Sequence, residues 1–162
     1  MIFVTVGTNE APFDRLLVAV ATVPGGSEVF VQHGASRIRP LGARCVDFLP
    51  FDRLVDEIRR AQVVVSHGGV GSVIVALANG KRPVVMPRLR RYGEAVDDHQ
   101  RAFAQRFAAA GLVTVVETAD ELRAAIADGD DHSAAEIAEG GALADNLREY
   151  LAVCVGPPTA PR

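Results

Sequence analysis

The 162-residue sequence predicts an α/β fold, a Rossmann-like parallel sheet flanked by helices, and three observations lead there. Short apolar runs alternate with helical patterns almost throughout, the order that lays helices on both faces of a parallel sheet. The runs are continuously apolar and rich in valine and isoleucine, as strands covered on both faces are. One of them, Val63-Val64-Val65, passes straight into Ser66-His67-Gly68-Gly69-Val70-Gly71-Ser72 and then a helical pattern. A strand feeding a glycine-rich bend and a helix N-terminus presents backbone N–H groups and a favourable dipole to an anion.

Residues 2–6 form the first buried strand. Pro12 stands where a helix can begin, and Leu16, Leu17, Val20 and Val23 supply its stripe until Pro24-Gly25-Gly26 breaks it. Residues 28–32 and 44–48 read as the second and third strands. Residues 52–61 make an amphipathic helix with Leu54, Val55 and Ile58 inward and Asp56, Glu57, Arg59 and Arg60 outward. Residues 62–66 and 83–86 are the central strands, joined by a helix over 70–79 that closes at Gly80. A helix over 97–110 sets Phe103 and Phe107 one turn apart on its buried side and ends at Gly111. Residues 112–117 are the last strand. Helices over 119–127 and 134–153 complete a single domain expected over 1–155, before a frayed tail over 156–162 that opens with Gly156-Pro157-Pro158.

The length suits one domain with a real core, and 49% apolar residues argue against a disordered chain. A net charge of −3 lacks the basic footprint of a nucleic-acid binder. Lys81, Arg82, Arg88, Arg90 and Arg91 form a local basic run, either a solvated loop or a patch for phosphate or a membrane surface. Cys45 and Cys154 make neither a disulfide framework nor a zinc pattern. No apolar run approaches the ~20 residues a membrane helix needs, and the amino end reaches Gly7 too soon for a signal peptide. A soluble, cytoplasmic protein is the expectation, with any membrane work done through a partner or a surface.

In such sheets ligands lie at the carboxyl ends of the strands. Gly7-Thr8-Asn9, His33-Gly34, the 66–72 bend and the 87–100 loop all fall there and should share one rim. The bend has neither the G-x-G-x-x-G fingerprint nor a closing Gly-Lys-Ser/Thr, so it is a phosphate cradle of another kind or a tight turn with Ser72 bonding local backbone. Asp97-Asp98-His99-Gln100 opens a helix, where one aspartate would act as a cap and His99 and Gln100 could reach ligand hydroxyls. A metal set of His67, Asp98 and His99 fits no familiar ligand spacing, and no metal is expected. Asp128-Gly129-Asp130 has the D-x-D order of metal-dependent sugar transferases but lies between helices and reads as a turn. Glu94 would accept hydrogen bonds from sugar hydroxyls or face solvent, and His33 would touch the ligand or serve the structure. No acid is spaced to orient His67, so no hydrolase triad forms.

At these residues the chain resembles the carboxyl-terminal, donor-binding domain of the GT-B glycosyltransferases of family 28. Within that group it is similar to the short Alg13-like and PssE-like subunits. The matching segments are Val4-Thr5-Val6-Gly7-Thr8, the 66–72 bend, and Ala76-Leu77-Ala78-Asn79-Gly80-Lys81-Arg82-Pro83. Met86-Pro87-Arg88 and Gly93-Glu94-Ala95-Val96-Asp97-Asp98-His99-Gln100 follow, and the likeness runs to about residue 116. The resemblance implies the C-terminal half of a GT-B fold. Gly7, Thr8 and His67, Gly68, Gly69, Gly71 and Ser72 would hold the diphosphate of a UDP-sugar, the donor substrate, with no further cofactor. Backbone near Phe48 and Leu49 would meet the uracil, and His99 and Gln100 the sugar. A membrane-anchored Alg14-like or PssD-like partner would supply the acceptor side and the general base, His67 being an outside candidate for that base. The product would be a lipid-linked glycan on the cytoplasmic face of the membrane. Val75 departs from the pattern: many family 28 domains carry an acid there to bind ribose hydroxyls, and valine cannot accept a hydrogen bond.

Overall fold

The computed structural model describes residues 1–128. Within them β1 (Ile2–Thr5) pairs in parallel with β2 (Val29–Gln32) on one side and β4 (Val63–His67) on the other. β3 (Arg44–Val46) lies outside β2, while β5 (Val84–Met86) and β6 (Thr114–Val115) extend the sheet beyond β4. The strand order is therefore β3-β2-β1-β4-β5-β6, parallel throughout. The strands match the sequence reading in place and differ in length. β3 stops at Val46, β4 runs on to His67, and β6 keeps two residues although Leu112, Val113 and Val116 around it are buried.

Alternate residues of each strand face opposite layers, as the pleat requires. Val4, Val65 and Val84 point to one face, where Phe13, Leu16, Leu17 and Val20 from α1 (Asp14–Ala21) and its approach meet Leu122 of α5 (Ala119–Ala127). Phe3 and Val64 point to the other, against Ile58 of α2 (Phe51–Arg60) and Ala76 of α3 (Val70–Ala78). Further along that face Val85 packs with Val73, Leu77 and the Phe103–Phe107 pair of α4 (His99–Ala109), whose ring centroids are 4.2 Å apart. Covering on both faces explains why the strands are apolar without interruption.

Gly80 and Gly111, with φ of +71° and +72°, end α3 and α4 in the left-handed conformation that a side chain disfavours. α5 begins with a capping box that the apolar pattern did not reveal: Thr118 accepts from the Glu121 N–H, and Glu121 accepts from the Thr118 N–H. One assignment needs correction. Glu57, expected on the outer face of α2, is buried, with Arg44 and Arg60 3.6 and 3.7 Å from its carboxylate. The sequence placed it by periodicity alone, and long arginine side chains from two elements make its burial tolerable. The expected helix over 134–153, residues 129 and 130 of the D-x-D turn, Cys154 and the tail lie outside the described residues.

Leu16→Ala should lower unfolding stability by about 3 kcal/mol, because Leu16 is fully enclosed by the α1–α5 layer. Val18→Ala, on the half-exposed side of the same helix, should change it by no more than about 0.5 kcal/mol. Urea denaturation of both variants checks the assignment of faces.

Candidate functional site

The chain crosses from the β2 side of β1 to the β4 side, so the strand order reverses between β1 and β4. At such a switch point the connections leave in opposite directions and open a crevice at the strand ends. A pocket of about 270 Å³ lies there. Gly7 and Thr8 after β1, and His67, Gly69, Gly71 and Ser72 after β4, line one part of it, with Phe48, Leu49 and Leu54 along another. The two glycine bends thus converge on one cavity, as the sequence required. Among the described residues none that lines it is a lysine or arginine.

His67 sits between the bends. A Cβ built on Gly7, whose φ is +75°, would stand 2.6 Å from the His67 Nε2. A Cβ on Gly69 would stand 2.9 Å from its Cδ2 and closer still to its Nε2. Both glycines are therefore demanded by the imidazole itself, and Gly7 also by its backbone. The ring is buried, which with the nearby Arg88 charge lowers its pKa to about 4, the Thr5 backbone opposing the shift. His67 is consequently neutral at pH 7, and its buried Nδ1 makes no hydrogen bond of ordinary geometry.

Two further lining residues, Thr5 and Gln32, went unnoticed in the sequence. They are register partners at the ends of β1 and β2. The Thr5 hydroxyl donates to Gln32 Oε1 (2.7 Å) and accepts from the Gly7 N–H (3.2 Å). The Gln32 amide donates to the Gly7 and Asp47 carbonyls at 3.1 and 2.8 Å. Two polar residues closing paired buried strands were the available signal.

The other candidates divide. Gly68 faces away from the cavity: a Cβ there would meet Gln100 Cβ at 2.9 Å and Pro87 Cα at 3.3 Å. Gln100 lies behind that bend and accepts from the Arg88 N–H at 3.1 Å. His33 is buried outside the cavity lining, its Nδ1 2.8 Å from the Gly34 carbonyl oxygen. Asp98 accepts from the Arg90 N–H at 2.9 Å and does not cap α4 with its side chain. Asp97 instead accepts from the His99 N–H at 3.0 Å and approaches the exposed His99 ring at 2.7 Å. The backbone bond from His99 and then its side chain hold the Asp97 carboxyl below the usual range. His67, Asp98 and His99 are not gathered into a metal set.

Glu94 neither faces solvent nor offers free oxygens to a sugar. It is buried, takes a bidentate pair from Arg15 at 2.9 Å and accepts from the Leu89 N–H at 3.0 Å. Three residues of the basic run are likewise engaged within the protein. Arg88 is fully enclosed, the Lys81 ammonium donates to the Ala61 carbonyl, and Arg91 pairs with Glu117.

Gly69→Ala should lower stability by about 1–3 kcal/mol, because the new methyl must displace the His67 ring. Gly71→Ala meets nothing within 4 Å and sits in α3, so it should be neutral or stabilising by up to ~1 kcal/mol. Equal losses in urea denaturation would contradict the wedge. The depressed His67 pKa has a signed consequence. Between pH 6.5 and about 4 the unfolded chain binds a proton that the folded chain refuses, so stability falls as pH falls through that window. The contribution is on the order of 3 kcal/mol and should vanish in His67→Gln, compared by urea denaturation at both ends of the window.

Comparison with known proteins agrees with this architecture. A UDP-N-acetylglucosamine transferase subunit ALG13 from Yarrowia lipolytica (strain CLIB 122 / E 150) is 33% identical over 81 residues, covering 50% of this chain and 37% of that protein. The glycotransferase of kitacinnamycin superposes with a TM-score of 0.58 at 22% identity, over 93% of this chain and 43% of that one. The calicheamicin glycosyltransferase CalG4 gives 0.57 at 19%, over 96% and 44%, and Acinetobacter baumannii MurG 0.54 at 20%, over 81% and 41%. These structures share the fold, and the chain spans less than half the length of each relative. The sequence pattern of the glycosyltransferase family 28 C-terminal domain matches residues 1–149, and the chain belongs to that family.

Proposed function

We propose that this chain is the donor-binding subunit of a two-component glycosyltransferase that transfers a sugar from a UDP-sugar to a polyprenyl-diphosphate-linked acceptor, in exopolysaccharide or lipid-linked glycan synthesis. The observation that carries the reading is the convergence of the Gly7 and Gly69–Ser72 bends on one pocket at the switch point, beside Phe48 and Leu49. A nucleoside diphosphate has two ends, a flat base whose faces pack against apolar side chains and an anionic diphosphate, and this pocket is apolar at one side and glycine-lined at the other. The N-terminus of α3 and the Thr8 and Ser72 hydroxyls would stabilise the leaving diphosphate as its charge develops. His67, uncharged at pH 7, would serve there as a hydrogen-bonding wall. His99, exposed at the neighbouring helix start, is proposed to meet the sugar, whereas Gln100 is turned to the Arg88 N–H behind the Gly68 bend.

The superposed glycosyltransferases are longer, and this chain matches 43% and 44% of two of them. The ALG13 relative is named as a subunit, which supports a membrane-anchored Alg14-like or PssD-like partner bringing acceptor and general base. The chain would then work at the inner face of the membrane through that partner. Among the described residues no helix is long and apolar enough to cross a membrane.

One observation favours a second reading, a non-catalytic nucleotide-sugar-binding or regulatory subunit. Val75, where many relatives place an acid, packs partly buried against the Phe3–Ile58 layer and offers nothing to ribose.

Calorimetric titration of UDP and UDP-sugars into the chain alone, and into the co-purified pair, tests both readings. Gly71→Asp sets a carboxylate on the pocket wall and should weaken UDP binding by at least about tenfold through like-charge repulsion. Turnover by the pair that survives loss of UDP binding to this chain would favour the regulatory reading. If neither preparation bound a uridine nucleotide, the transferase reading would be abandoned.

A further inference from the structure

Arg88 stands out among the buried groups. No part of its surface is exposed, yet its hydrogen bonds among the described residues all go to carbonyls and none to a carboxylate. Its Nη1 donates to the carbonyls of Ala11 (2.9 Å), Pro12 and Glu94 (both 3.3 Å), and its Nη2 to the carbonyl of Val6 (3.1 Å). The guanidinium carbon lies 4.7 Å over the Phe13 ring. The Glu94 carboxylate, whose charge favours the Arg88 cation, is itself in bidentate contact with Arg15. Arg15, Glu94 and Arg88 together leave one net positive charge inside the protein.

A desolvated cation whose nearest carboxylate is shared with a second arginine is costly, and a packed apolar side chain would often serve stability as well or better. The place of this cation matters more than its presence. The Val6 carbonyl is the peptide group that enters the Gly7 bend, so Arg88 holds that bend from beneath. Thr5 and Gln32 hold the same bend from the β2 side, through the Gly7 N–H and carbonyl. The Arg88 N–H also binds Gln100, which packs behind Gly68 in the second bend. One residue therefore ties both glycine bends together, and it stands behind a cavity whose lining, among the described residues, has no lysine or arginine.

We infer that Arg88 is the positioning residue for the diphosphate end of the pocket: it fixes the Gly7 bend and supplies, from behind it, the positive charge that the described lining residues lack. The inference rests on the donor-site reading above and adds to it the source of charge. It also separates the two ends of the ligand, because Phe48 and Leu49, lining the apolar side, make no bond to Arg88. The anionic end should depend on this residue and the nucleoside end should not.

The test is NMR titration of the full chain with UDP and, separately, with uridine. In Arg88→Met, UDP affinity should fall by about tenfold or more while uridine affinity stays within about twofold of wild type. Equal loss of both ligands, or no loss of either, would overturn the inference. If Arg88→Met does not fold, the wild-type protein decides. The Arg88 Nε–H is buried without a hydrogen-bond partner, and its resonance should move on adding UDP and not on adding uridine. Identical responses to the two ligands would overturn the positioning role. A wild-type chain that binds neither ligand would instead remove the donor-site reading, and this inference with it.

Discussion

The imidazole of His67 fills the space that side chains at residues 7 and 69 would need, and the site is organised around that close packing. Parallel pairing of β1 with β4 sets Thr5 opposite Ser66, so the residues that leave the two strands emerge side by side. The ring at the end of β4 then has only backbone on either side. Glycine at both bends follows, and with it two stretches of main chain that can approach a ligand closely. The same enclosure that shapes the bends strips the ring of solvent and keeps it uncharged.

Behind the bends the molecule places its charges with unusual economy. Arg15 spans the distance from α1 to the loop before α4, donating to Glu94 and to the carbonyls of Pro87 and Glu117. Arg88 reaches four carbonyls from one guanidinium, a geometry the planar fork of arginine allows and lysine does not. Phe13 lies against both cations, at 5.3 Å from Arg15 and 4.7 Å from Arg88. The loop over 87–98 has little regular structure, and these bonds give it a fixed path along the strand ends.

Much of this was legible in the sequence because local rules and tertiary structure agree. Valine runs covered on both faces, glycines that end helices, and a strand emptying into a glycine bend each carry a short-range signature. What escaped depends on partners far away in the chain. Glu94 and Arg88 lie in a polar stretch that reads as surface, and only partners more than seventy positions earlier turn them inward, Arg15 for Glu94 and the carbonyls of residues 6, 11 and 12 for Arg88. Glu57 follows helical periodicity outward, and its burial comes from Arg44 on another element. Asp97 and Asp98 are spaced as caps, but the nearby Arg90 N–H attracts one of them. Thr5 and Gln32 become a pair only through the register of β1 against β2.

Sharing a single obstacle also shapes how this region can change. Residues 7 and 69 are barred from acquiring a methyl group by the same ring, so replacements at positions 7, 67 and 69 are coupled and their effects will not add. A smaller residue at 67 would remove the three nearest obstacles to a methyl at 69, while Gly7 would remain restricted by its left-handed backbone. Order therefore matters: a lineage that trimmed the ring first could diversify the second bend, and one that kept it could not.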